Sequence, residues 1–216
     1  MIIKILVYFL VIIPSVIIHE VAHGVVALWL GDDTAKRAGR LTLNPISHID
    51  FFGTIILPLS MIFLSTGMMF GYAKPVPYNP YNLKSEKDEL KIALAGPLSN
   101  FIFACVFSIF GRIIFNVYSL EKAAILFGLV ALINIGLAIF NLIPIPPLDG
   151  SKLLYLIIPK ENVQLRAFLD RYGLFLLLFF IFFGIRFISP VYILLSRLFL
   201  GSNLLGATLQ FLYNLF

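Results

Sequence analysis

Long apolar stretches alternate with short polar segments along the chain. The first stretch, Ile2–Leu30, contains only four charged or titratable residues and lacks a signal-peptide cleavage pattern, so we expect it to be retained as a helix. Six stretches share the apolar character: Ile2–Leu30, Phe51–Tyr72, Ile92–Tyr118, Ala123–Leu142, Tyr172–Ile188 and Val191–Phe216. Because about 20 apolar residues cross a bilayer as a helix, the pattern predicts an all-α polytopic membrane protein with five to six transmembrane helices.

Composition strengthens this prediction. The 216 residues are 60% hydrophobic and 12% charged, with a mean hydropathy of +0.99. Soluble proteins have roughly half apolar and a quarter charged residues. The helices leave no room for a folded extramembrane domain, so we expect one integral membrane domain over residues 1–216. The net charge of +5 does not indicate nucleic-acid binding, because the Lys and Arg residues follow the loops between apolar stretches.

The strongest chemical signal lies inside the first apolar stretch, in the motif His19-Glu20-Val21-Ala22-His23. Helical residues four apart lie on one face, so both imidazoles can bind one metal ion while Glu20 can reach a metal-bound water. Ionisable groups inside a membrane are costly, and three within five residues indicate a function. The motif therefore predicts a metal-dependent hydrolytic site within the membrane.

A third protein ligand must come from elsewhere, because catalytic zinc usually has three protein ligands and a water. The candidates are His48, Asp50 and Asp149, with Asp32 and Asp33 less favoured on a solvated turn. We favour Asp149 because it follows a helix broken by three prolines, in the segment Asn141–Gly150. Unwound backbone at membrane depth is tolerated only against protein or a watery cavity.

Sidedness follows from the requirement that the first motif and Asn141–Gly150 meet at one face. The helix pair Ile92–Leu142 leaves that face and returns, so Phe51–Tyr72 must start and end there as a re-entrant hairpin. The loops on that face contain eleven cations: Lys36, Arg37, Arg40, Lys74, Lys84, Lys87, Lys91, Lys152, Lys160, Arg166 and Arg171. Four lie on the other: Lys4, Arg112, Lys122 and Arg186. The positive-inside rule makes the first face cytoplasmic.

Three further features are open at this stage. The alternation Arg40–Asn44 predicts a short β-like cytoplasmic segment that could offer an edge to an extended substrate. His48 is interpreted either as a group near the site or as an ordinary loop histidine. Asn100 either hydrogen-bonds to Asn141 or the site, which we favour, or makes a helix-packing contact.

Five motifs in order resemble the site-2 protease family of intramembrane zinc metalloproteases, specifically its small bacterial-type members without a PDZ domain. They cover most of the first 155 residues: HEVAHG (His19–Gly24), GRLTLNPISHID (Gly39–Asp50), GYAKPVPYNP (Gly71–Pro80), the helix-start motif AGPLSN (Ala95–Asn100) and NLIPIPPLDG (Asn141–Gly150). The last 60 residues contain no matching motif. Residues 1–155 are therefore expected to form the catalytic core, followed by C-terminal helices at about 172–216.

The resemblance implies a zinc-dependent endopeptidase that cleaves peptide bonds within or beside transmembrane segments. His19, His23 and Asp149 would bind one Zn²⁺ per chain, Glu20 would be the general base, and Asn141 would contact the substrate backbone or the oxyanion. The expected partners are a transmembrane substrate and the lipid bilayer, in the plasma membrane with the site nearer the cytoplasm; a homo-oligomer is left open. The alternative is a metal-ion transporter, which gives Glu20 no task.

Overall fold

The computed structural model describes residues 2–64 and 71–215, and within those ranges the chain is helical with no β-strand. The α-helices in these ranges are α1 (Ile2–Val7), α2 (Ile13–Trp29), α3 (Thr34–Arg37), α4 (Leu57–Phe63), α5 (Glu86–Phe115), α6 (Glu121–Asn141), α7 (Ser151–Ile157), α8 (Val163–Phe179) and α9 (Ile185–Leu215). The predicted all-α membrane architecture is confirmed at this level.

The N-terminal helix is continuous from Ile2 to Trp29, because a π-helical turn over Tyr8–Ile12 joins α1 to α2. Pro14 follows just after this π-helical turn and lies inside the continuous helix, where its missing amide hydrogen removes one backbone hydrogen bond. The helix ends just before Gly31, whose φ of +102° only glycine adopts readily. The sequence thus predicted both ends of this helix to within one residue.

The described residues contain four helical stretches long and apolar enough to cross a membrane: Ile2–Trp29, Lys87–Phe115, Glu121–Asn141 and Val163–Asn214. The two predicted spans Tyr172–Ile188 and Val191–Phe216 fall together in the last stretch, since Pro190 lies inside α9 without ending it. Its non-helical residue is Gly201, with φ of +71°. The structure therefore gives four candidate crossings, and the count of five to six stays a prediction.

The segment Phe51–Tyr72 begins with a π-helical turn, Phe51–Ile56, and continues as α4. Residues 65–70 of the predicted hairpin lie outside the described residues. The helix Phe51–Phe63 is about 20 Å long at 1.5 Å per residue, too short to cross a 30 Å hydrocarbon core. The amide of Tyr72 donates to the carbonyl of Gly53 at 3.1 Å, so the described ends of the segment lie side by side.

The predicted β-like segment Arg40–Asn44 is wrong: it forms bends and leads into a 3₁₀ turn, Pro45–His48. Its polar side chains satisfy the local backbone. Thr42 Oγ1 accepts from the Asn44 amide, and Asn44 Oδ1 accepts from the Ile46 amide, both at 3.1 Å. Such bonds compete with strand pairing, and the described residues supply no partner strand.

Helices α2, α5 and α6 pack together around the site, and α9 packs against α5 and α6. The core between α5, α6 and α9 includes Ala104, Ala131, Leu132, Ile135 and Leu200, each no more than 1% exposed. Small residues let the helices approach closely, as is usual in membranes. The separate contacts of α2 with α5 and α6 position the functional side chains.

Candidate active site

His19 and His23 lie on one face of α2, and Asp149 reaches them from the loop after α6. The Nε2 atoms of the two histidines are 3.1 Å apart, and Asp149 Oδ2 lies 3.1 Å from His19 Nε2 and 3.4 Å from His23 Nε2. Their side chains are 8%, 12% and 21% exposed for His19, His23 and Asp149 respectively. Within the described residues, this is the group of three ligand side chains close enough to hold a metal.

The other nitrogen of each imidazole has an acceptor of its own. His19 Nδ1 lies 2.7 Å from Asn100 Oδ1, and His23 Nδ1 lies 2.7 Å from the carbonyl oxygen of Ile92. Neither acceptor can donate a hydrogen, so both Nδ1 atoms must carry the proton. The Nε2 lone pairs therefore point at each other and at Asp149, which is the arrangement that a metal requires.

The spacing of these atoms fits zinc. Atoms about 2.0–2.1 Å from a tetrahedral zinc ion lie about 3.3 Å apart, and the three observed separations are 3.1 to 3.4 Å. Asp149 Oδ2 is buried and has no hydrogen-bond partner in the described part of the chain. Two neutral imidazoles and one carboxylate are also the donor types that catalytic zinc sites use.

Gly96 on α5 forms the wall opposite the two histidines. A Cβ atom at this position would lie 2.4 Å from His23 Nε2 and 2.6 Å from His19 Nε2. No side chain larger than hydrogen fits there without displacing the imidazoles. The motif AGPLSN was predicted to start a helix, and this prediction is wrong. The motif lies in the interior of α5, because α5 already begins at Glu86.

The end of α6 delivers Asp149 to α2. Helix α6 stops at Asn141, and the chain turns back so that the amide of Gly150 donates to the Asn141 carbonyl at 2.7 Å. A Cβ at Gly150 would lie 2.3 Å from the Leu142 carbonyl oxygen, so this turn requires glycine. The proline-rich segment therefore folds onto the helix end and places Asp149 beside the histidines.

Glu20 is held by the segment Gly71–Pro80. Its Oε2 accepts a hydrogen bond from the Val76 amide at 2.9 Å. The segment passes close to α2 because position 24 is glycine: a Cβ there would lie 2.8 Å from Val76 Cγ1. His19, Glu20 and Asn141 line one cavity of about 600 Å³ between α2, α6 and the C-terminal helix.

The remaining sequence candidates for a metal ligand lie elsewhere. His48 Nε2 bonds to the Thr42 carbonyl oxygen at 2.8 Å, and Asp50 Oδ1 accepts from the Gly53 amide at 2.7 Å. Asp32 accepts from the Asn79 amide and the Asn82 side chain, both at 2.7 Å. Asp33 pairs with Arg37 on the surface. Of the acidic candidates, the structure brings only Asp149 to the histidines within the described residues.

Asn141 and Asn100 differ in what they contact. Asn141 Nδ2 donates to the Leu137 carbonyl of its own helix at 2.9 Å. Asn100 contacts the site through His19, and its Nδ2 donates to Asn134 at 2.7 Å. Sequence reasoning missed Asn134 and the tight contact at Gly96. An asparagine within the apolar run Ala123–Leu142 was the signal available for Asn134.

Comparison with known proteins agrees with this geometry. The model of the family described as "Peptidase family M50" matches residues 7–124 and 113–181. "Putative zinc metalloprotease YwhC" of Bacillus subtilis is 36% identical over 187 residues, covering 83% of this chain and 78% of that protein. "Putative zinc metalloprotease MJ0611" of Methanocaldococcus jannaschii is 37% identical over 64% of this chain and 63% of its own length.

A more divergent relative is "Zinc metalloprotease MJ0392" of the same archaeon, 27% identical over 88% of this chain but only 46% of its own length. No solved structure matches the chain significantly. The family match covers most of the helices and every residue of the site, which confirms the resemblance to site-2 proteases. This chain, an integral membrane protein by its four apolar helices, belongs to peptidase family M50.

Proposed function

We propose that this protein is a zinc metalloprotease that hydrolyses peptide bonds within or beside transmembrane segments of membrane proteins. The observation that supports it most is the convergence of His19, His23 and Asp149 to 3.1–3.4 Å inside an apolar helix bundle. These residues would hold one Zn²⁺. The names of the relatives, which describe zinc metalloproteases, also support zinc binding and proteolysis.

Zinc bound there would supply Lewis acidity, which polarises the scissile carbonyl and favours ionisation of water. Glu20 acts as the general base: its carboxylate accepts a proton from the attacking water and passes it to the leaving amine. The Val76 amide fixes one oxygen of that carboxylate. Asn141 donates an N–H to the developing oxyanion from the wall of the same cavity.

The cavity indicates the kind of substrate. Besides His19, Glu20 and Asn141, its lining is largely apolar, with tyrosine and phenylalanine side chains from three elements. A membrane-embedded peptide can enter it from the bilayer. A helical peptide covers its carbonyl groups, so the segment must unwind before cleavage, and glycine near the cut lowers that cost by about 1 kcal/mol.

Orientation is part of the proposal. The N-terminus lies outside and the site lies nearer the cytoplasm in the plasma membrane, as the eleven-to-four distribution of cations indicates. The Tyr72–Gly53 hydrogen bond supports a re-entrant Phe51–Tyr72, because both described ends lie at one level. Single cysteines at positions 85 and 119, in a Cys105→Ser background, should react from opposite faces of sealed vesicles; reaction from one face contradicts this orientation.

The function is tested by Glu20→Gln in protein reconstituted with single-span model substrates, one Leu-rich and one with glycine near its centre. Glu20→Gln should retain one zinc per chain and lose cleavage, while the exposed control Glu161→Gln should cleave normally. Faster cleavage of the glycine substrate is expected. Full cleavage by Glu20→Gln would disprove its role, and zinc flux that survives in this variant would favour the transporter.

A further inference from the structure

A chain of buried polar side chains links the metal histidine His19 to α5, α6 and back to its own helix. Asn100 Oδ1 accepts from His19 Nδ1 at 2.7 Å, and Asn100 Nδ2 donates to Asn134 Oδ1 at 2.7 Å. Asn134 Nδ2 donates to Ser15 Oγ at 2.8 Å, and Ser15 donates to the Val11 carbonyl at 2.7 Å. All four side chains lie between three membrane-spanning helices.

Because these four side chains are buried, leaving any one of them without its hydrogen-bond partner would cost free energy. Asn100 and Asn134 are 0% exposed, Ser15 is 1% exposed and His19 is 6% exposed. An amide without a partner in such surroundings costs about 1–3 kcal/mol. Asn134 lies between Ile133 and Ile135, so an apolar side chain would serve at this position if packing were its only task.

The direction of the hydrogen bonds is set by backbone carbonyls, which can only accept. Asn134 Nδ2 also donates to the Val130 carbonyl at 2.8 Å, and Asn100 Nδ2 also faces the Ser15 carbonyl at 3.3 Å. The NH₂ group of each amide must therefore point at these carbonyls. Its oxygen then points the other way, toward Asn100 Nδ2 for Asn134 and toward His19 for Asn100.

From this geometry we infer that Asn134 and Ser15 are positioning residues, which fix through Asn100 the tautomer and ring orientation of His19. An acceptor at Nδ1 requires the proton there and leaves the Nε2 lone pair for the metal. His23 reaches the same state through the Ile92 carbonyl, which no substitution removes. The inference rests on the proposed zinc site, since it concerns how His19 is prepared to bind the ion.

The hydrogen-bonded series from Ser15 through Asn134 and Asn100 to His19, called the relay below, also couples the metal site to helix packing. Ser15 is on α2, Asn100 on α5 and Asn134 on α6, and the bonds join residues 81, 34 and 119 positions apart in the sequence. A shift of α6 relative to α2 would break the bond from Asn134 to Ser15. His19 would then lose the support that holds its ring, so metal affinity should report on the packing of these helices.

The test measures zinc affinity of the purified full-length protein by competition with a chromophoric chelator, with the absorption of Co²⁺-substituted protein as a second readout. Asn134→Leu removes the acceptor for Asn100 and should weaken zinc binding about tenfold, the lower end of effects seen for groups that support metal ligands. Asn134→Asp keeps the acceptor oxygen for Asn100 but loses the NH₂ group that donates to the Val130 carbonyl and to Ser15. It should bind zinc less tightly than the wild type and more tightly than Asn134→Leu. The Co²⁺ spectrum should change in Asn134→Leu.

Thr208→Val is the matched control, because Thr208 is also fully buried but bonds to the Leu204 carbonyl of its own helix. It should leave zinc affinity unchanged. Wild-type zinc affinity and a wild-type Co²⁺ spectrum in folded Asn134→Leu would overturn the relay. Zinc binding by Asn134→Leu that is at least as tight as binding by Asn134→Asp would also overturn it, because apolar packing alone would favour the leucine variant.

A second variant keeps the inference testable if Asn134→Leu does not fold. Ser15→Ala removes one acceptor for Asn134 and the bond from Ser15 to the Val11 carbonyl, but leaves the bonds that join His19, Asn100 and Asn134. Zinc affinity should therefore fall, but by less than the roughly tenfold loss expected for Asn134→Leu. Unchanged affinity in that variant would overturn the relay. If the wild-type protein itself binds no zinc, the proposed function fails instead, and the two outcomes are distinguishable by that single measurement.

Discussion

The helix that begins the chain and the helix that ends it are similarly apolar, yet they are packed differently. In its most apolar window Ile2–Trp29 is 39% buried, whereas Val163–Asn214 is 6% buried. The five most exposed phenylalanines of the C-terminal stretch, each 56–74% exposed, are Phe175, Phe179, Phe182, Phe183 and Phe187. Apolar content alone therefore does not tell a helix that faces lipid from one that faces protein.

Polar side chains account for the difference. In the N-terminal helix, Ser15 and His19 bond to asparagines on two other helices. In α9, the buried Thr208 bonds within its own helix, and Tyr192 makes a long 3.3 Å bond to the Leu132 carbonyl of α6. Interhelical polar bonds hold helices together where lipid removes the hydrophobic driving force. Interhelical hydrogen bonds therefore specify how α2 packs against α5 and α6. Helix α9 is held against α5 and α6 mainly by the packing of apolar side chains.

The largest effect should come from one methyl group in the bundle. Gly96→Ala would place Cβ within 2.4–2.6 Å of the two imidazoles, so zinc affinity and cleavage should each fall by about 100-fold or more. Gly206→Ala in α9 is the control: no atom of the described part of the chain lies within 4 Å of a Cβ built there, and the helix should gain up to about 1 kcal/mol. Normal zinc binding by Gly96→Ala would contradict the close contact.

A smaller effect is expected at Asp32, which joins the turn after α2 to the loop beside the site. Burial raises the pKa of Asp32, but hydrogen bonds from Thr34, Asn79 and Asn82 outweigh it and leave the pKa below its usual value. Its stabilisation is thus complete above pH of about 4 and is lost as pH falls through the lowered pKa. Asp32→Asn should cost about 2 kcal/mol at neutral pH.

Thermal unfolding in detergent between pH 3 and 6 checks this prediction. The wild-type melting temperature should fall with acidification, and Asp32→Asn should show a weaker pH dependence. The neighbouring Asp33→Asn, which alters only a surface ion pair with Arg37, should behave like the wild type. Equal pH dependence in wild type and Asp32→Asn would contradict the assignment.

The difference in burial predicts a difference in the stability lost when a large side chain is truncated to alanine. Leu129→Ala in α6 removes a fully buried side chain and should cost about 2 kcal/mol through lost packing contacts. Phe182→Ala, at 73% exposure in the C-terminal stretch, removes more atoms and should change stability by less than about 0.5 kcal/mol. Reversible unfolding in mixed micelles measures both. A larger loss from Phe182→Ala would show that this face is covered by protein.

The smallest effect concerns the contact between α9 and α6. Tyr192→Phe removes the bond to the Leu132 carbonyl and should cost about 0.6 kcal/mol, the average for polar contacts between membrane helices. Because Tyr192 also lines the cavity, cleavage of the same model substrate should be compared before and after the change. A destabilisation above about 2 kcal/mol would mean that the C-terminal helix is a firm part of the bundle.

The sequence by itself determined the features that depend on neighbouring residues. Apolar runs predicted the N-terminal helix and α6 to within two residues and α5 to within six, and the i, i+4 spacing placed His19 and His23 on one face. The proline-broken segment singled out Asp149 among five candidates. Local signals were less decisive elsewhere: the gap between the predicted stretches Tyr172–Ile188 and Val191–Phe216 lies inside α9, and Arg40–Asn44 alternates without a strand partner among the described residues.

Only the tertiary structure decided what depends on contacts between distant helices. It brought Asp149 to the histidines, showed that Gly96 must lack a side chain because two rings occupy its space, and joined Asn134 to His19 through Asn100. It also showed that the most apolar window is 39% buried in Ile2–Trp29 and 6% buried in Val163–Asn214, although the two stretches are equally apolar. Such facts follow from how helices pack, because polarity along one helix does not specify which neighbour meets each face.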